Sequence, residues 1–99
     1  MMQVKEDLLL PIGSVVKLLD RNVMITGYFP ISNGKLYVYT GCDFPEGVKN
    51  FDEIYCFNKD DILAVLYKNY MSEECKNYIN DISIAVLEIN NSILKINNN

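Results

Sequence analysis

The chain contains no histidine and no tryptophan. Without histidine there is no Ser-His-Asp or Cys-His pair and no histidine-ligated metal. Cysteine is sparse: Cys42, Cys56 and Cys75 make an odd count of 3 with no Cys-x-x-Cys spacing. A disulfide scaffold asks for an even count in a secreted chain, so these read as reduced thiols of a cytosolic protein. Positive charge is short as well, with 9 Lys and Arg against 13 Asp and Glu and a net charge of −4. No basic stripe is therefore at hand to grip nucleic-acid phosphate or an anionic membrane surface. Long apolar runs are missing, and a bilayer-crossing helix needs about 20 such residues. The start, MMQVKEDLLLPIG, offers only Leu8–Leu10 behind two acids, which is not a signal peptide. The expected location is the cytoplasm. Neither a Gly-rich phosphate loop nor a D-x-D-x-D-G calcium loop occurs, so no cofactor and no metal are expected.

What is present is an ordinary folding sequence. Its 99 residues suit one domain, and an apolar fraction of 49% suits a packed core. Carboxylates come in adjacent pairs, Asp52/Glu53, Asp60/Asp61 and Glu73/Glu74. Neighbouring side chains diverge in a strand and fan out on a helix, so such pairs make helix starts and solvated turns rather than an acid–base dyad. The expectation is a non-enzymatic protein without catalytic residues.

Short β segments separated by turn residues fill the first part. Ser14–Leu19 and Val23–Phe29 read as strands about the polar turn Asp20-Arg21-Asn22, and Gly27 marks a bulge or bend. Asn33-Gly34 tolerates the positive φ of a type I′ hairpin and joins the second strand to the next. That next strand, in the stretch Lys35–Val48, presents Leu36, Val38 and Thr40 on one face and Tyr37 and Tyr39 on the other. It reads as central, with neighbours on both edges. Gly41 is expected to end it, and Phe44-Pro45-Glu46-Gly47 to form a type I turn. Phe51–Phe57 resumes strand alternation, Asn58 caps a helical turn over Lys59–Ile62, and a last strand is centred on Val65–Tyr67. The fold class is α+β: a small, strongly bent antiparallel sheet or open barrel of about five strands, followed by a long C-terminal helix.

That helix begins at an N-cap, Ser72, with Glu73 and Glu74 favourable to its dipole. Apolar residues fall at Cys75, Ile79, Ile82, Val86, Ile89, Ile93 and Ile96, with steps of four and three in alternation, a heptad seam. Asn77, Asp81, Glu88, Asn91 and Lys95 occupy the other side, while Leu87 and Leu94 widen the stripe. Residues 1–71 thus form the β part and 72–99 the helix with a frayed tail, within one structural domain. From Glu73 to Ile96 the helix would span roughly 36 Å, against a β part roughly 28 Å across. The seam has two uses: docking over the sheet, or meeting another helix. The second use makes Ile79, Ile82, Val86, Ile89, Ile93 and Ile96 the candidate protein-binding residues. Their partner is then a helical protein or a second copy of the chain. The 7 tyrosines fill a two-sided small sheet or serve an interface.

Several segments occur in one order that is informative: Leu10–Leu18 (LPIGSVVKL), Met24–Tyr28 (MITGY), Tyr39–Val48 (YTGCDFPEGV), Phe57–Ile62 (FNKDDI) and Val65–Tyr70 (VLYKNY). The order resembles the domain-of-unknown-function family DUF4176 over about Leu8–Tyr78, and Gly41–Gly47 is its most specific piece. The resemblance implies Gram-positive bacteria and gene neighbourhoods of type VII secretion with LXG-class toxins. It also implies a small non-enzymatic accessory protein there, a chaperone or targeting adaptor for a helical toxin or its small helical companions. An immunity protein that neutralises a toxin domain, which suits an acidic surface, and a module that self-assembles through its C-terminal helix are the alternatives. The resemblance assigns no catalytic residue.

Overall fold

The computed structural model describes residues 9–97, with side chains through Ile89. Fraying is expected at Met1–Asp7 and Asn97–Asn99; Met1–Asp7 and Asn98–Asn99 lie outside the described residues, whereas Asn97 is the last residue of the helix. The strands are β1 (Val15–Lys17), β2 (Asn22–Tyr28), β3 (Ile31–Ser32), β4 (Lys35–Leu36), β5 (Tyr39–Asp43), β6 (Ile54–Phe57) and β7 (Ala64–Tyr67); helix α1 spans Glu73–Asn97. The chain divides into two compact units, one of them Leu10–Tyr70 and the other containing α1.

The first unit is an open 5-stranded antiparallel sheet in the order β6-β5-β2-β1-β7, with β3 and β4 paired separately. The fold class is thus α+β with an antiparallel sheet that does not close. The hairpin around Asn33-Gly34 is its longest feature. Asn33 and Gly34 have φ of 52° and 75°, as a type I′ turn requires. Ile31 then pairs with Leu36, Tyr37 donates to the Pro30 carbonyl at 2.9 Å, Phe29 donates to the Val38 carbonyl at 2.9 Å, and Tyr28 pairs with Tyr39. One register therefore runs from the turn into the sheet. It shifts between Ile25 and Gly27, where the sequence predicts a bulge.

The hairpin corrects two expectations. Leu36 belongs to the short β3–β4 ribbon, and the flanked strand is Tyr39–Asp43. It lies between β2 and β6, while β2 holds the middle of the sheet. Nor does Gly41 end that strand, because it pairs with both Ile25 and Tyr55. The turn after β5 also differs: the Phe44–Pro45 peptide is cis, and Gly47 donates to the Asp43 carbonyl at 2.8 Å. Elsewhere Phe51–Glu53 is a 3-10 turn ahead of β6, so only Ile54–Phe57 is extended.

Pairing sets the core. Val16 stands opposite Val23 and both are fully buried. Ile25, Tyr39 and Phe57 complete the buried set of this unit's main face, with the Tyr39 and Phe57 rings stacked at 5.5 Å. Two polar ties hold its edges. Asn58 accepts from the Val38 backbone N–H at 3.0 Å, and its own N–H donates to the Asp61 carboxylate at 2.8 Å, fixing the Lys59–Asp61 turn. Asn69 donates from its backbone to the buried Ser14 hydroxyl at 3.0 Å and from its amide to the Ile12 carbonyl at 2.8 Å.

Candidate protein-binding surface

Helix α1 starts where its cap dictates. The Ser72 hydroxyl accepts the Cys75 backbone N–H at 3.0 Å, satisfying one of the free donors of the first turn. Glu73 and Glu74 sit at the positive end of the dipole. Neither Gly nor Pro interrupts the 25 residues that follow, about 37 Å of helix.

Burial along α1 is graded. Ile79 is buried, at 1% exposure. Ile82 and Val86 are half-buried, and Ile89 is 58% exposed. The side chains of Ile93 and Ile96 lie outside the described residues. The accessible part of the seam therefore begins beyond Ile79. Two more apolar side chains stand exposed beside it, Leu87 at 59% and Ile84 at 48%. At about 100° per residue, Ile84 projects from the side opposite Ile82 and Val86. The heptad reading omits Ile84 because it breaks the four-and-three spacing. Its signal is simply an Ile between polar positions on the face that should be wet.

The sheet unit carries its own surface features. Arg21 closes a polar cluster at the β1–β2 turn. It donates to Asp20 through Nε and Nη2, each at 3.1 Å, and through Nη1 to the Tyr55 hydroxyl. Its guanidinium lies 4.4 Å from the Tyr55 ring centroid and 3.6 Å from the Asp43 carboxylate. Tyr55 in turn donates to Asp43 at 3.1 Å. The hydrogen bonds from Arg21 hold the Asp20 carboxyl below the usual carboxylate range. Desolvation, then the bond to Asp43, pushes the Tyr55 phenol up. This is an ion-pair lock between a turn and two strands, beside a shallow recess of about 400 Å³ lined by Leu18, Leu19, Cys56 and Phe57. Its guanidinium fork is already engaged by protein groups.

A second recess, about 360 Å³ and more apolar, is lined by Val15, Met24, Phe44, Leu66 and Tyr67. Among the described residues no group of three or more His, Cys, Asp or Glu could hold a metal ion. No helix there is long and apolar enough to cross a membrane. The three cysteines are free thiols, Cys42 buried and Cys56 and Cys75 half-buried. Of the tyrosines, Tyr39 is buried in the sheet while Tyr67 and Tyr70 are exposed.

The family model described as a domain of unknown function, DUF4176, matches residues 9–77. The chain belongs to the DUF4176 family. The match spans the whole sheet unit and only the first turn of α1, so the graded apolar surface of α1 lies beyond the DUF4176 region. No curated protein and no solved structure matches the chain.

Proposed function

We propose that this DUF4176 protein is a non-enzymatic, cytoplasmic accessory protein of a type VII secretion system that binds a helical partner through α1. The partner is an LXG-class toxin or one of its small helical companions, and the role is that of a chaperone or targeting adaptor. One observation carries the reading: Ile84, Leu87 and Ile89 are exposed on different sides of one helix. A single covering surface buries only one side of a helix, whereas a bundle with partner helices covers several. Each Ile or Leu moved out of water stabilises the assembly by roughly 1.5–3 kcal/mol.

Co-expression with the toxin encoded beside it, followed by affinity purification, tests this. A stable complex is expected, weakened about tenfold or more by Leu87→Asp together with Ile89→Asp. Absence of a complex with every product of the locus would overturn the reading. The acidic balance, −4, supports a second one, an immunity protein that neutralises a basic toxin domain. Protection of cells from the isolated toxin domain would favour that alternative.

A further inference from the structure

Among the described residues the sheet ends at β7, whose outer edge has no strand beside it. All four residues of β7, Ala64–Tyr67, are exposed, with Val65 at 49% and Leu66 at 51%. Open edges are normally blunted by lysine, proline or inward charge. From Ile62 to Tyr67 this one carries no charge and no proline. The charges sit at its two ends: the Lys59–Asp61 turn, net acidic through Asp60 and Asp61, before the strand, and Lys68 after it.

We infer that β7 pairs antiparallel with β7 of a second copy, joining the two sheets edge to edge about a two-fold axis at Ala64. The register follows from the backbone. Leu63 donates inward to the Lys17 carbonyl at 2.8 Å. Strand alternation then turns the N–H and C=O of Ala64 outward, and two outward residues exchange both bonds when they face each other. A two-fold axis places Ala64 opposite itself, because the same patch must serve both copies. Val65 then meets Leu63 of the second copy, and Leu66 meets its Ile62. Beyond Ile62 the chain is already in the Lys59–Asp61 turn, so Lys68 of one copy, just past β7, lies at the end where the acidic turn of the other begins, and opposite charges meet at both ends. Either copy presented parallel would set acid against acid. The register shift of β7 against β1 falls between Val65 and Tyr67, past the axis. The apolar recess behind Leu66 and Tyr67 adjoins the place taken by Ile62 of the second copy. The inference rests on the β7 edge alone and is independent of the partner proposed for α1.

Light scattering on the full chain across a concentration series tests it. A dimer is expected. Ala64→Pro removes the outward donor while leaving the bonds to β1, so the chain stays folded by circular dichroism and becomes monomeric. Lys68→Glu alters both ends at once and weakens the dimer about tenfold. Adding Asp60→Lys to Lys68→Glu restores it. A wild-type monomer throughout the series would overturn the inference, as would a dimer unmoved by Ala64→Pro. Restoration by the double charge exchange separates edge pairing from association through α1, which Leu87→Asp with Ile89→Asp would abolish instead.

Discussion

Gly41 is the residue on which the sheet is most tightly closed. It is buried in β5, between Ile25 of β2 and Tyr55 of β6. A Cβ there would lie 2.4 Å from Val23 Cγ1 and 2.5 Å from the Met24 carbonyl oxygen. The second neighbour is backbone in the middle strand and cannot step aside alone. Gly41→Ala is expected to cost about 3 kcal/mol through overpacking, read as a lower urea midpoint with an unchanged slope. Gly27 makes a useful control. Its Cβ would meet only the Thr40 methyl, at 2.9 Å, on a side chain able to rotate. Gly27→Ala should therefore cost distinctly less, and equal losses would remove the argument from Gly41. The sequence alone reads Gly41 as a stop because glycine usually weakens a strand. Only the pairing shows that its missing side chain is what admits β2.

At the level of elements, the local signals were legible and the long-range ones were not. Asn33-Gly34, Ser72 and the Asn58 cap each act within a few residues of themselves, and each appears where its chemistry predicts. The bulge at Gly27 was legible for the same reason. The break between β4 and β5 was not, since it depends on Asn58, 20 residues away, accepting the Val38 N–H. The placement of β7 beside β1 was equally hidden, because four residues reading Ala-Val-Leu-Tyr say nothing about which strand they join. For the candidate surface, heptad spacing identified the Ile82–Val86–Ile89 line, while Ile84 fell outside any period. The cap gives the element its own prediction. Ser72→Ala leaves the Cys75 N–H without its acceptor and should lower stability by about 1 kcal/mol, with Ser72→Asp close to wild type. Urea unfolding followed by far-ultraviolet circular dichroism reads both. An alanine variant as stable as the aspartate one would show that the first turn does not depend on this bond.

For the molecule as a whole, the loss of stability at alkaline pH includes a contribution from how two of its phenols are held. Tyr39 is buried, and desolvation pushes its phenol above the ordinary value of about 10, although the hydrogen bond donated by the Leu10 N–H at 3.0 Å partly offsets this. Tyr55 is raised in the same direction. Below about pH 10 both are neutral whether the chain is folded or not, and their environments add no pH dependence. Above it the unfolded chain sheds protons that the folded chain retains. Stability is therefore expected to fall as pH rises from about 10 toward the raised folded values, and the acidic net charge adds self-repulsion in the same direction. Tyr39→Phe separates the two effects. At neutral pH it should cost about 1–2 kcal/mol, because the Leu10 N–H loses its acceptor. Between about pH 9.5 and 11 its stability should decline less steeply than that of the wild type, since one retained proton is gone. Urea midpoints measured at several pH values give both quantities. Parallel declines would assign the alkaline loss to general charge repulsion rather than to the buried phenol.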